Sequence, residues 1–120
     1  MSYLENAKNI YQMIGKGELL EAFDKYYHED IVMTEPMGTR EGKSVCRDYE
    51  IQFINSIQEV HGLEVTKIAS DEENATTFVE NAMEVTFKDG NRVKMEQVAV
   101  QKWEGDQIIH ERFYYDRGVN

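Results

Sequence analysis

ATTFVENAMEVTFKDGNRVKMEQVAVQKW, residues 75–103, is the stretch that decides the fold. Two runs rich in Val, Thr, Phe and Met flank Asp89-Gly90, a strong short-range signal for a β-hairpin. A three-residue loop, Lys88-Asp89-Gly90, with glycine in the left-handed position pairs Phe87 with Asn91. That register sets Val85 opposite Val93, Met83 opposite Met95 and Asn81 opposite Gln97. Side chains alternate between the faces of a strand, so these residues share one face, apolar with two amides. The other face carries Glu80, Glu84, Arg92, Lys94 and Glu96, with Val98 and Val100 beyond them. A slip of one residue would exchange the two faces. The mixed outer face, with an apolar strip at Val79 or at Val98 and Val100, predicts a partly solvated surface with a homodimer contact.

Downstream, Glu104-Gly105-Asp106 marks a second hairpin into a last strand over 107–116. There Ile109, Glu111, Phe113 and Tyr115 alternate with His110, Arg112, Tyr114 and Asp116, and the first, more apolar set is expected inside. Upstream, 63–70 is a further strand, and His61-Gly62 closes a helix that Ser44 opens and that runs to about 59. Val45, Tyr49, Phe53 and Ile57 give that helix its stripe. Two earlier helices are predicted over 3–15 and 18–28, from Leu4, Ala7, Tyr11 and Ile14 and from Leu19, Leu20, Phe23, Tyr26 and Tyr27. Between them and the third helix, Ile31-Val32-Met33-Thr34-Glu35 reads as a strand running into a turn at Pro36 and Gly38. Helices first and long strands afterwards imply an α+β fold: three N-terminal helices packed on a curved antiparallel sheet and enclosing a pocket.

The 120 residues fit a single domain over 1–120. A formal charge of −10, from 23 acids against 13 bases, disfavours nucleic acid and anionic membrane surfaces as partners. No apolar run approaches the roughly 18 residues that cross a bilayer, and MSYLENAKN at the N-terminus lacks the basic and apolar regions of a secretory signal. Cytoplasmic residence is the resulting expectation. Cys46, the single cysteine, can form no internal disulfide and reads as a small buried hydrophobe. His28, His61 and His110 lack metal-ligand spacing, and there is no Gly-rich phosphate loop, so neither metal nor cofactor is expected.

The chemistry lies in the acids on the inner face. If Ile31 and Met33 point inward, so does Glu35, and Glu111 shares a face with Phe113 and Tyr115. A carboxylate removed from water without a cationic partner favours its neutral form, which brings its pKa toward neutrality and makes it fit for proton transfer. Two such glutamates would raise each other. Alternatively, Glu35 could accept backbone N–H bonds from the turn at Pro36-Met37-Gly38, and Glu111 could tie down the helical lid through a Tyr or Arg. Asn81 and Gln97 are suited to orienting a ligand, Tyr11 and Tyr115 to orienting or walling it. Met33, Met83 and Met95, with Phe113, read as an adaptable apolar lining.

The segment HEDIVMTEPMGTREGKSV (28–45) resembles the nuclear transport factor 2-like superfamily, and within it the SnoaL-like polyketide cyclase and ketosteroid isomerase group. The shared features are the helix pair, an acid followed by Pro-x-Gly at Glu35-Pro36-Met37-Gly38, a third helix opened near Gly42-Lys43, and a last strand closing in Tyr114-Tyr115-Asp116. The resemblance covers nearly the whole chain and implies the cystatin-like α+β barrel. It places Glu35 where ketosteroid isomerases hold their catalytic base, and Tyr11 within one residue of their oxyanion-stabilising hydroxyl. Their second oxyanion donor would align with Ala99 or Val98, which cannot donate, and losing such a donor typically costs ~10²–10³ in rate. The aspartate that limonene epoxide hydrolases carry on the last strand would fall at Phe113, two residues from Glu111 on the same face. The resemblance implies a cofactor-independent enzyme acting on a hydrophobic carbonyl-containing ligand by enolisation, cyclisation or isomerisation, with Glu35 and Glu111 as acid–base groups. Two other classes stay open: a noncatalytic ligand-binding domain using the same pocket, and a protein-interaction module.

Overall fold

The structure, a computed structural model, describes residues 2–116. Three helices, α1 (Tyr3–Gly15), α2 (Leu19–Tyr26) and α3 (Lys43–Ser56), pack on a six-stranded sheet. The strands are β1 (Tyr27–Glu35), β2 (Gly38–Glu41), β3 (Ile57–Asp71), β4 (Thr76–Phe87), β5 (Arg92–Glu104) and β6 (Gln107–Tyr114), in the order β2-β1-β6-β5-β4-β3. All neighbours are antiparallel except β1 and β6, which run parallel. The expected wholly antiparallel sheet is corrected at that one junction, because the chain passes through α3 and three further strands before β6 closes on β1.

The hairpin register expected from Asp89-Gly90 is the one observed: Asn81 faces Gln97, Met83 faces Met95 and Val85 faces Val93. Phe87 N–H donates to the Asn91 carbonyl at 2.8 Å, and Gly90 takes φ +94°, which L side chains rarely adopt. Val79 lies on the inner face at 0% exposure, so the outer apolar strip is Val98 and Val100, joined by Phe78 and Tyr114.

Several features differ from the sequence expectation: β1 begins at Tyr27, inside the helix expected over 18–28, and β2 is a short strand where only a turn was expected. Helix α3 ends at Ser56, and β3 begins at once, because Ile57 and Val60 pair with Phe87 and Val85 of β4. Gly42, at φ +93°, stands at the N-cap of α3 in place of Ser44. The buried stripe of α3 is also turned by one residue: Cys46 is fully buried while Val45 and Tyr49 are exposed. On β6, a register shift opposite Lys102 and Trp103 buries Ile108 in place of Ile109, and alternation resumes with Glu111 inside. The core, centred on Ile10, Phe23, Tyr26, Ile31, Met33, Val79, Trp103 and Ile108, fills one end of the concave sheet under α1 and α2. None of the helices among the described residues is long and apolar enough to cross a membrane.

Candidate active site

The other end of the concavity is open, and there the sheet and all three helices surround a cavity of about 510 Å³. Its floor is set by strand register. Thr77, Gln101 and Glu111 lie on one row across β4, β5 and β6, and the row continues through Met33 and Arg40 on β1 and β2. Three adjacent polar side chains on the inner face of a sheet must satisfy one another. They do: Thr77 Oγ1 donates to Gln101 Oε1 at 2.7 Å, and Gln101 Nε2 donates to Glu111 Oε2 at 2.8 Å. Tyr27 Oη, where α2 passes into β1, donates to Glu111 Oε1 at 2.5 Å.

Glu111 is 1% exposed and both its partners are neutral. Burial pushes its carboxyl up to about 7, against the pull of the hydrogen bonds from Tyr27 and Gln101. Burial likewise lifts the phenols of Tyr11 and Tyr27 above their ordinary value, reinforced by the Glu111 charge, so both are un-ionised hydroxyls.

Glu35 also borders the cavity, but both its oxygens are engaged. Arg40 Nη2 donates to Oε2 at 3.0 Å in a half-buried ion pair, and Tyr115 Oη donates to Oε1 at 3.0 Å. The Arg40 guanidinium in turn lies 3.6 Å from the ring centre of Tyr49. The position where the resemblance implies a base thus holds a carboxylate whose two oxygens are bound to Arg40 and Tyr115.

A third acid completes the site, and sequence reasoning missed it. Glu50 of α3 lines the cavity, and burial, with the Glu111 charge behind it, raises its carboxyl to about 7, opposed by Arg40. The signal was in the spacing. Cys46, Glu50 and Phe53 follow at i, i+4 and i+7, one helical face, and Cys46 is buried. Choosing Val45-Tyr49 as the stripe hid Glu50 on the supposed solvent side. Tyr27 and Gln101 were also missed, although Gln101 alternates with Ala99 and Trp103 on an inner face.

Of the other expected site residues, Tyr11, Asn81, Met83, Met95, Gln97, Phe113 and Tyr115 line the cavity. Asn81 commits one amide hydrogen to the Val79 carbonyl at 3.2 Å. Met33 does not line it; at 2% exposure it belongs to the core beneath the floor. The arrangement is thus an aromatic chamber with two acids raised by burial, Glu50 and Glu111, and a Glu35–Arg40 ion pair. Among the described residues no group of three or more His, Cys, Asp and Glu side chains is placed to hold a metal ion.

Comparison with known proteins agrees with this architecture. The model of the SnoaL-like domain matches residues 1–115. A Mesorhizobium loti protein named as a candidate SnoaL-like polyketide cyclase is 30% identical, with a TM-score of 0.79 over 96% of this chain and 100% of that one. A Bacillus subtilis protein named as a candidate isomerase superposes with a TM-score of 0.82 at 15% identity, over 97% of this chain and 90% of that one. A cystatin-fold protein from Novosphingobium aromaticivorans gives a TM-score of 0.80 at 22% identity, over 96% and 99%. Curated proteins yield no match. With the helix order, the sheet and the cavity all in agreement with a model that spans 115 of its residues, the chain belongs to the SnoaL-like domain family.

Proposed function

We propose that the chamber is a cofactor-independent active site that moves a proton on a hydrophobic, carbonyl-containing small molecule, as an enolisation, isomerisation or cyclisation requires. One observation carries this reading: Glu50 and Glu111 border one apolar cavity, and burial brings both to about 7. Groups poised near the working pH are the effective general acids and bases. Among the described residues Glu50 has no side-chain hydrogen-bond partner, and it is the base. Its carboxylate takes a proton from the carbon next to the carbonyl and can return it there or to a conjugated carbon. The hydroxyls of Tyr11 and Tyr27, beside Glu111, stabilise negative charge on the carbonyl oxygen. Phe23, Phe53, Phe113, Met83 and Met95 hold the carbon skeleton, and Asn81 and Gln97 orient it.

The partner of a second copy is proposed to be the outer face of β4, β5 and β6, through Phe78, Val98, Val100 and Tyr114. The test of the chemistry is hydrogen–deuterium exchange at the methyl group of 2-acetylnaphthalene in D₂O, followed by mass spectrometry. Exchange above the buffer rate is expected, with a loss of about 10²–10⁴-fold in Glu50→Gln. Binding of the ketone with exchange at the buffer rate would leave a passive ligand-binding domain.

A further inference from the structure

The polar row under the cavity carries a hydrogen-bond chain whose direction is set at its far end. Trp103 Nε1 can only donate, and it donates to Thr77 Oγ1 at 2.9 Å. Thr77 and Gln101 are both 0% exposed, and the Thr77 hydroxyl proton goes to Gln101 Oε1. Turning the Gln101 amide over would strand that proton in a dry interior, at about 1–3 kcal/mol. The amide therefore faces Glu111 with its N–H, and Glu111 Oε2 is an acceptor.

With Oε2 accepting, the proton of neutral Glu111 resides on Oε1, 2.5 Å from Tyr27 Oη. A single hydrogen fits between these two oxygens. When Glu111 is ionised, Tyr27 supplies it. When Glu111 is neutral, the acid supplies it, and the Tyr27 O–H must turn elsewhere. Tyr27 lines the cavity, so it turns toward the ligand.

We propose that Trp103, Thr77 and Gln101 are positioning residues that keep the Glu111 proton on Oε1, and that neutral Glu111 thereby makes Tyr27 the hydrogen-bond donor to the ligand's carbonyl oxygen. This deepens the function proposed above and rests on it for the carbonyl alone: the buried acid acts through Tyr27 and does not itself meet the ligand. The ionisable groups facing Glu111 are Tyr11 from α1, Tyr27 at the start of β1, and Glu50 and Cys46 from α3, while Arg40 is paired with Glu35. None of them is a free cation that would hold Glu111 ionised.

Infrared spectroscopy reads both halves of the proposal at about pH 5.5, below the value of about 7 at which Glu111 ionises. In the ligand-free protein, the Glu111 acid band is identified by its loss in Glu111→Gln. It is expected to move in Thr77→Val and in Gln101→Leu, since Oε2 loses its fixed donor. A band unmoved in both variants overturns the chain, and either variant serves alone should the other not fold. With carbonyl-labelled 2-acetylnaphthalene bound, the ketone band is expected at lower wavenumber in wild type than in Tyr27→Phe. An identical band in the two proteins, or no binding of the ketone at millimolar concentration, overturns the role of Tyr27. Methyl exchange by wild type with identical ketone bands removes Tyr27 from the mechanism and keeps the enzyme. Shifted bands without exchange keep the donor chain and remove the enzyme.

Discussion

At the scale of single residues, Glu111 links the site to stability through pH. Its carboxyl has an ordinary value of 4.5 and is raised by burial to about 7 in the folded chain. Between those values the folded state holds a proton that the unfolded state has released, so stability is fully present below about 4.5 and declines as pH rises through about 7. Glu50, raised over the same interval, adds to the decline. Glutamine at 111 can accept from Gln101 and donate toward Tyr27, mimicking the neutral acid without titrating. Glu111→Gln is therefore expected to flatten the stability difference between about pH 5 and about pH 8 by about 1–3 kcal/mol, measured by urea unfolding. Equal pH dependence in variant and wild type would mean that Glu111 reaches water in solution. The inward side of Glu111 was legible from the alternation of β6, and its partners were not. Alternation states which face a side chain shares, whereas the row joining Thr77, Gln101 and Glu111 needs the relative register of three strands.

Among the elements, α1 shows how local and distant groups combine to end a helix. The first N–H groups of a helix have no intrahelical acceptor. Here Ser2 Oγ accepts from Glu5 N–H at 3.1 Å, while the Glu72 carboxylate, from the β3–β4 turn, accepts from Tyr3 and Leu4 at 3.0 and 3.1 Å. The capping box is completed by the Glu5 side chain, which accepts from Ser2 N–H. Ser2→Ala is expected to lower stability by about 1 kcal/mol in urea unfolding, since the Glu72 bonds keep two of the three donors satisfied. A loss above about 2 kcal/mol would indicate that the contact with Glu72 depends on the cap. The limits of α1 were readable because Leu4, Ala7, Tyr11 and Ile14 recur at helical spacing and Gly15 and Gly17 follow, all of them local signals. Those of α3 were not: its weakly amphipathic face admits two stripes one residue apart, and only packing against β1 and the cavity selects Cys46-Glu50-Phe53.

Across the whole molecule, the curved sheet has one face inside and one outside, and the outer face is not wholly polar. Phe78 is 40% exposed and Tyr114 50%, with Val98 and Val100 half-buried beside them. An apolar strip of this kind on long strands matches the surface of a second copy better than it matches water. Sedimentation velocity at micromolar concentration is expected to give a homodimer, and Val100→Glu to give a folded monomer; a monomeric wild type would refute the contact. By itself the sequence determined the order of the three helices and of five of the six strands, the β4–β5 register and the inward side of Glu111 and Phe113. Each of these follows from turn chemistry and from periods of 2 and 3.6 that act over a few residues. Only the tertiary structure decided that Glu35 is tied to Arg40, that Glu50 joins Glu111 at the cavity, and that Tyr27 and Gln101 hold Glu111. Those facts depend on β6 closing in parallel on β1 and on α3 lying across the open end, contacts between segments up to 84 residues apart that no local period encodes.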